Sequence, residues 1–193
     1  MRRCIVDISM SLDGFIAGPD DEAGLIHEWY FGGDVESRQN PAFRTSAESA
    51  MVLAELFRAT GALIVGRRTY DLTKGWGGEH PMGAVPVFVV THRVPPAIPE
   101  GITPFTFVMT GVETALELAR AEAGERDVVV MGGATLVREC LALGVVDEIQ
   151  IHLAPVIMGE GVRLFETGDP ARLELLSTTA APDVTHVRYR VVR

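Results

Sequence analysis

Positive charge is scarce in this chain of 193 residues. Lys74 is the only lysine, arginines supply the rest of the positive charge, and the formal net charge is −9. The arginines are spread along the sequence, whereas a nucleic-acid-binding protein normally presents a basic face. The sequence therefore predicts no nucleic-acid partner.

Cysteines and long apolar runs are scarce as well. Cys4 and Cys140 are too few for a disulfide scaffold and show no metal-ligand spacing, so we expect no metal site. Asp7 ends the first apolar run early, and neither a signal peptide nor a membrane span fits the sequence. We therefore expect a cytoplasmic protein without a membrane partner.

Hydrophobic residues make up 47% of the chain, enough for a sizeable core, and the length favours one domain over residues 1–193. Strand-like and helix-like segments alternate in the middle of the chain, which predicts an α/β fold with parallel strands. The last third has strand patterns without helices between them, which predicts an antiparallel C-terminal hairpin on a mixed sheet. In its last strand His186, Arg188 and Arg190 alternate with apolar or aromatic residues, which predicts an exposed antiparallel strand.

The boundaries of these segments follow from apolar patterning and from turn and capping residues. Strands are expected over residues 3–10, 62–65, 86–91, 105–109, 127–131, 148–156, 172–178 and 184–192. Capping boxes at 45–48 and 110–113 are expected to begin helices that end near Thr60 and Ala123, and a further helix is expected over 134–143. Residues 18–44 are expected to form a long loop.

Two adjacent glycines, Gly132 and Gly133, separate a predicted buried strand from the helix that starts at Ala134. Glycines let a phosphate approach the backbone closely, and a helix start offers free N–H groups and a positive dipole end. The same pair also makes a tight connection, and the sequence leaves both interpretations open. The G-x-G-x-x-G fingerprint and the Walker motif are missing, so neither a Rossmann unit nor a P-loop is supported.

Similar clusters follow two other predicted strands. Arginine and hydroxyl donors beside a glycine suit phosphate oxygens, although a solvated surface turn shows the same residue types. Open α/β sheets bind ligands at the carboxyl ends of their strands, so three clusters at such ends predict an extended ligand with several phosphates, such as a dinucleotide. The two further clusters are Gly66, Arg67 and Thr69, and Thr91, His92 and Arg93.

Four motifs occur in order along the chain: SLDGFIA at 11–17, GRRTY at 66–70, MGGATL at 131–136 and PVIMGEGVRLF at 155–165. In this order they resemble the dihydrofolate-reductase-like superfamily, and within it the RibD C-terminal-domain group related to the reductase of riboflavin biosynthesis. The resemblance spans essentially the whole chain. It implies a three-layer α/β/α fold and a homodimer formed through the C-terminal strands.

The same resemblance implies an NADPH-dependent oxidoreductase that reduces a pyrimidine, pteridine or related heterocycle by hydride transfer. The substrate would be that of a 5-amino-6-(5-phosphoribosylamino)uracil reductase or of a dihydrofolate reductase, or a relative of either. The residues implied for NADPH are Ile16 and Ala17 near the nicotinamide, Gly66, Arg67 and Thr69 on the adenosine side and pyrophosphate, Thr91, His92 and Arg93 around the 2′-phosphate, and Gly132, Gly133, Ala134, Thr135 and Leu136 around the pyrophosphate.

Asp7 is the candidate proton donor, because a carboxyl group inside an apolar strand is costly unless it is paired or used. The alternative is a structural Asp satisfied by backbone or by an arginine. Ser9 shares its strand face, which in this family would line the substrate cleft. Trp29, Tyr30 and Phe57 are candidate walls of the substrate pocket, or else core and loop anchors. His152 is interpreted as a structural or interface histidine.

A second hypothesis is a dimeric nucleotide-binding protein that keeps the fold and has lost the chemistry. Folate reductases carry an acidic residue at the start of the helix after the long loop, and the nearest carboxylate here is Glu48. A capping role explains Glu48 without catalysis. Turnover with a heterocycle would distinguish the reductase from the binding protein.

Overall fold

An eight-stranded mixed sheet organises the chain in the computed structural model, which describes residues 3–37, 41–166 and 170–192. The strands are β1 (Cys4–Ser11), β2 (Phe15–Ala17), β3 (Val35–Glu36), β4 (Arg44–Thr45), β5 (Thr60–Gly66), β6 (Val87–Val90), β7 (Phe105–Val108), β8 (Asp127–Val130), β9 (Glu148–Ala154), β10 (Val162–Arg163), β11 (Arg172–Ala180) and β12 (Thr185–Val192). The helices are α1 (Gly24–His27), α2 (Ala47–Ala59), α3 (Arg67–Leu72), α4 (Val112–Ala123) and α5 (Ala134–Ala142), with short 3-10 turns at Glu28–Tyr30 and Lys74–Gly78.

The strand order in the large sheet is β11-β12-β9-β1-β8-β5-β6-β7. All neighbours from β9 to β7 run parallel, and β12 runs antiparallel to both β9 and β11. This confirms the predicted fold class, a mostly parallel sheet that ends in an antiparallel C-terminal hairpin. The carboxyl ends of β5, β6 and β8 therefore lie at one edge of the sheet.

Both faces of the central strands are apolar because helices cover both of them. On β5, Ile64 packs into a core with helices α4 and α5, while its neighbour Val65 points the other way, toward helices α2 and α3. On β1, Val6 belongs to the first core and Ile5 to the second. Since side chains alternate along a strand, Asp7 shares the α2 side with Ile5.

Helix α2 begins one residue later than the capping box at 45–48 predicts. That pattern makes Thr45 the N-cap, whereas in the structure Ser46 is the N-cap and its Oγ accepts a hydrogen bond from the Ser49 N–H at 3.2 Å. The box predicted at 110–113 is also wrong, since α4 starts after Gly111 with no side-chain cap. The S/T-x-x-E pattern does not specify which residue adopts the non-helical backbone conformation of the N-cap, and here these residues are Ser46 and Gly111.

The predicted long loop over 18–44 contains short elements in its described part, including α1, the turn at Glu28–Tyr30 and the β3–β4 hairpin. Aromatic contacts hold this segment together: Tyr30 stacks on Trp29, and its ring centroid lies 4.9 Å from that of Phe43. Because Trp29 is almost fully buried, it anchors the segment to the sheet. The cluster of aromatic residues is therefore what gives this polar segment a fixed place.

The C-terminal strand β12 differs from the exposed strand that its alternating pattern predicts. His186 is 3% exposed, because α2 covers this end of β12 and the Ser49 Oγ lies 2.9 Å from the His186 Nε2. Arg188 pairs with the buried Glu148 at 2.6 Å, and only Arg190 of the three alternating polar residues is exposed, in an ion pair with Glu174.

Across the described ranges, no helix is long and apolar enough to cross a membrane.

Candidate active site

A large cleft of about 1190 Å³ opens at the carboxyl ends of β5, β6 and β8 and extends to β1. Thirteen predicted cofactor residues line it, as do Asp7, Ser9 and Phe57 from the predicted catalytic and substrate sets. The thirteen are Ile16, Ala17, Gly66, Arg67, Thr69, Thr91, His92, Arg93, Gly132, Gly133, Ala134, Thr135 and Leu136. Residues that are far apart in the sequence therefore meet at one surface.

The junction between β8 and α5 leaves backbone N–H groups free at the cleft. Gly132 and Gly133 have φ values of +77° and +85°, which favour glycine, and α5 starts after Gly133 with no side-chain cap. A Cβ on Gly132 would lie 3.0 Å from the Thr69 hydroxyl oxygen, so the glycine keeps a narrow space open between the β8–α5 junction and α3. An uncapped helix N-terminus beside such a space is suited to an anion.

Arg67 connects the ends of β5 and β6. Its Nε donates to both carboxylate oxygens of Asp71, at 2.8 and 2.9 Å, and its Nη1 donates to the Arg93 carbonyl at 2.6 Å and to the Thr91 hydroxyl at 3.3 Å. Asp71 thus offsets much of the Arg67 charge. The His92 and Arg93 side chains are exposed at this edge of the cleft, while Thr91 is buried.

Arg68 makes a second bridge at the cleft. Its Nε donates to Asp21 at 2.6 Å, which joins the start of α3 to the loop after β2. Both residues line the cleft. The contact fixes the loop that follows Ile16 and Ala17, and it neutralises a second arginine near the predicted cofactor residues.

Asp13 has the structural role that its Asp-Gly turn predicts. Its carboxylate accepts hydrogen bonds from the Ser11 hydroxyl at 2.7 Å and from the N–H groups of Met158 and Gly159 at 3.1 and 2.7 Å. The Ser11 bond, followed by these backbone bonds, lowers the pKa of Asp13 to about 2. Asp13 therefore ties the β1–β2 turn to the segment before β10, which pairs with β2 at Ala17.

Asp7 is 3% exposed, and among the described residues its side-chain partner is a histidine rather than an arginine. Asp7 Oδ2 lies 3.1 Å from Nε2 of His152, a residue that is fully buried on β9. Ser9, which faces the same side, accepts a hydrogen bond from the Trp29 indole N–H at 3.2 Å. The carboxyl group thus lines the cleft on one side and contacts a buried imidazole on the other.

Trp29 lies behind the cleft rather than in its lining. It packs against the imidazoles of His152 and His186, with ring centroids 4.8 and 5.1 Å away. Its indole covers these rings on the side of the Glu28–Tyr30 turn. Of the three predicted pocket walls, the structure brings Tyr30 and Phe57 to the cleft and leaves Trp29 as a buried support.

Aromatic rings and His27 surround the part of the cleft near β1, and His80 lines the cleft after the Lys74–Gly78 turn. Tyr30, Phe31 and Phe43 line this part, and burial together with the nearby Asp7 raises the pKa of Tyr30. Burial lowers the pKa of His27, and it lowers the pKa of His80 to about 4. This region therefore offers flat apolar contacts and neutral hydrogen-bonding groups at neutral pH.

Sequence reasoning missed His186 and Ser49 as parts of the site, and it treated His152 as a residue apart from Asp7. In the sequence, His152 and His186 are polar residues in the alternating patterns of β9 and β12, and Ser49 is a polar residue in α2. These patterns do not indicate that the three side chains lie close to Asp7. The described residues contain no group of three or more His, Cys, Asp or Glu side chains arranged to hold a metal ion.

Comparison with known families decides the relationship. The sequence model of the RibD C-terminal domain matches residues 2–187. The chain belongs to the RibD C-terminal domain family. Two relatives in this comparison are the uncharacterized Bacillus subtilis proteins YwjB and YyaP, each 24% identical over 97% of this chain and over 97% and 94% of their own lengths.

Solved structures share the fold of this RibD C-terminal domain protein. A Shewanella sp. PV-4 protein named for riboflavin biosynthesis matches with a TM-score of 0.76 and 21% identity over 99% of both chains. The deaminase/5-amino-6-(5-phosphoribosylamino)uracil reductase of Thermotoga maritima matches with a TM-score of 0.65 and 15% identity, over 99% of this chain and 57% of that one. Dihydrofolate reductase from Enterococcus faecalis, complexed with NADP(H), matches with a TM-score of 0.61 and 13% identity over 99% and 97%. The dihydrofolate-reductase-like fold is thereby confirmed.

Proposed function

We propose that this protein is an NADPH-dependent reductase of a planar, uncharged heterocycle. The observation that carries the proposal is the placement of an uncapped, glycine-lined helix start in the same cleft as the buried carboxyl group of Asp7. The first feature suits a phosphorylated cofactor and the second suits proton transfer. The fold of an NADP(H)-complexed reductase among the structural neighbours supports the same assignment.

The cleft residues fit NADPH on their own geometry. The space that a Cβ on Gly132 would fill, next to the free N–H groups of α5, suits the pyrophosphate. The exposed His92 and Arg93 suit the 2′-phosphate, since an arginine commonly accommodates that group. Ile16 and Ala17, which β10 and Asp13 hold at the cleft, would flank the nicotinamide. When bound there, NADPH would supply the hydride.

The protein itself would position the substrate, exclude water from the reacting atoms and supply a proton. Tyr30, Phe31 and Phe43 would pack against the faces of a flat ring and exclude water from it. Asp7 Oδ1 or Oδ2 would hold the proton that the heteroatom of the reduced C=N or C=O bond takes up. His152 would orient that carboxyl group through its contact at 3.1 Å.

The charges of the cleft favour an uncharged substrate over a phosphorylated one. Within the described part of the chain, the arginines that line the cleft are Arg67, Arg68 and Arg93, and all follow β5 or β6. Arg67 and Arg68 are already paired with aspartates. Near β1 the cleft has aromatic rings, Asp7 and His27, whose pKa burial lowers, and none of these groups would compensate a phosphate.

Cofactor preference is the first test. We expect NADPH to raise the melting temperature more than equal concentrations of NADH do, because only NADPH carries the 2′-phosphate. Arg93→Gln should reduce the difference between the two nucleotides and leave the NADH effect unchanged. Arg58→Gln, at an exposed position outside the cleft, is the matched control and should keep the full difference. Absence of stabilisation by both nucleotides would refute the proposal.

Substrate preference is the second test. We expect kcat/KM for NADPH oxidation with an uncharged methyl-dihydropterin to exceed that with 5-amino-6-(5-phosphoribosylamino)uracil by at least about tenfold, because an unpaired phosphate beside Asp7 is unfavourable. The reverse order would contradict the charge argument. Tight NADPH binding without oxidation by either compound would instead favour the nucleotide-binding protein that lacks chemistry.

A further inference from the structure

A continuous chain of buried polar side chains leads from Asp7 to the N-terminus of α2. Three neighbouring strands carry its first members on the side that faces α2: Asp7 on β1, His152 on β9 and His186 on β12. His152 and His186 are directly paired in register across β9 and β12. Helix α2 adds Ser49, and its N-cap Ser46 ends the chain.

Every link in this chain is within hydrogen-bond distance. Asp7 Oδ2 lies 3.1 Å from His152 Nε2, and the Nδ1 atoms of His152 and His186 are 2.6 Å apart. His186 Nε2 lies 2.9 Å from the Ser49 Oγ, which lies 3.1 Å from the Ser46 Oγ. Asp7, His152, His186 and Ser49 are at most 3% exposed, whereas Ser46 is partly exposed.

The chemistry of these groups fixes the direction of the bonds when Asp7 is ionised. A carboxylate only accepts, so His152 donates from Nε2 and is left with Nδ1 as an acceptor. His186 must then donate from Nδ1, and its Nε2 accepts the Ser49 hydroxyl proton. The Ser46 hydroxyl donates to Ser49, so all the bonds point from the surface toward Asp7.

We propose that this chain conducts a proton from the surface at Ser46 to the carboxylate of Asp7, an inference that rests on the proposed role of Asp7 as proton donor. A hydronium ion at the surface gives a proton to the Ser46 oxygen and leaves as water, while the former Ser46 proton passes to Ser49. The Ser49 proton passes to His186 Nε2, the His186 Nδ1 proton to His152 Nδ1, and the His152 Nε2 proton to Asp7. One proton enters, one reaches the carboxylate, and each ring ends neutral in its other tautomer.

The surroundings favour concerted transfer over a charged intermediate. Burial, with His152 acting in the same direction and Asp7 opposing it, lowers the pKa of His186 to about 4. Trp29 covers both imidazoles, and the titratable groups that face the chain from α1 and the adjoining turn are His27 and Tyr30. Because both imidazoles are buried, an imidazolium that persists there is costly, and proton transfer through neutral tautomers is preferred.

Nuclear magnetic resonance of the full-length protein with ¹⁵N-labelled histidine tests the relay without cofactor or substrate. We expect the Nε2–H tautomer of His152 and the Nδ1–H tautomer of His186 while Asp7 is ionised. On acidification both rings should exchange tautomers in one shared step, and Asp7→Asn should remove that step. Tautomers that stay fixed until one ring becomes an imidazolium would overturn the proposal.

Interruption of this series of hydrogen bonds gives the second measurement, the rate at which the His186 Nε2–H exchanges with water after acidification, when that tautomer is present. Ser49→Ala should slow this exchange at least about tenfold, because the link from His186 to the surface is lost. Thr60→Val removes another fully buried hydroxyl, which bonds to the Leu56 carbonyl in the same helix, and should leave the exchange rate unchanged. Equal exchange in wild type and Ser49→Ala would refute a conducting role.

Ser46→Gly provides an independent variant if Ser49→Ala does not fold, because glycine is tolerated at an N-cap. It removes only the terminal hydroxyl and should also slow exchange. The two proposals fail separately in these experiments. Fixed tautomers with normal NADPH stabilisation would refute the relay alone, and coupled tautomers without NADPH stabilisation would refute the reductase alone.

Discussion

Replacement of Asp7 by Asn is expected to lower kcat for NADPH oxidation by about 10² to 10⁴, the usual contribution of a general acid, and to leave the Kd for NADPH unchanged. Asn has nearly the same size, and its side-chain oxygen still accepts a hydrogen bond from His152 Nε2. It cannot carry the acidic proton. The measurement compares steady-state turnover with the uncharged dihydropterin and NADPH binding in wild type and variant.

Asp127→Asn is the matched control for this variant. Asp127 is also a buried aspartate on a central strand, 5% exposed on β8, but it pairs with Arg3 outside the cleft. The control should lose stability through its weakened ion pair and keep its kcat. Undiminished turnover in a folded Asp7→Asn variant would remove Asp7 from the mechanism and, with it, the functional need for the relay.

The proposed cofactor half of the cleft was predictable from the sequence because each cluster is local. Gly132 and Gly133 lie between a strand and a helix that apolar patterning identifies, and the same holds for Gly66 and Arg67. Parallel strands bring their carboxyl ends to one edge, so the clusters had to meet once the α/β pattern was recognised. The structure adds what local patterns omit, such as the pairing of Arg67 with Asp71.

The proposed catalytic half could not be assembled in this way. Asp7 and His152 are 145 positions apart, and Ser49 and His186 are 137 apart. Their contacts depend on β9 lying between β1 and β12, a strand order that periodicity does not specify. Polar residues on β12 therefore predicted a solvated face, and only the position of α2 over that face shows that His186 is buried.

Substitution of Gly132 by Ala is expected to raise the Kd for NADPH at least about tenfold, equivalent to about 1.4 kcal/mol. The new Cβ would lie 3.0 Å from the Thr69 oxygen, in the space that we assign to the pyrophosphate, at a φ of +77°. Gly144→Ala is the matched control at the other end of α5. Its φ is +66° and a Cβ there meets no atom within 4 Å.

Both substitutions place a side chain in the left-handed region, which costs about 1–2 kcal/mol of stability, so the melting temperatures should fall by similar amounts. Only Gly132→Ala should weaken NADPH binding, as measured by titration of the cofactor against each folded variant. The comparison separates backbone strain from obstruction of the cleft. Equal Kd values for the two variants would mean that the β8–α5 junction is a tight connection without a ligand, the alternative that the two glycines leave open in the sequence.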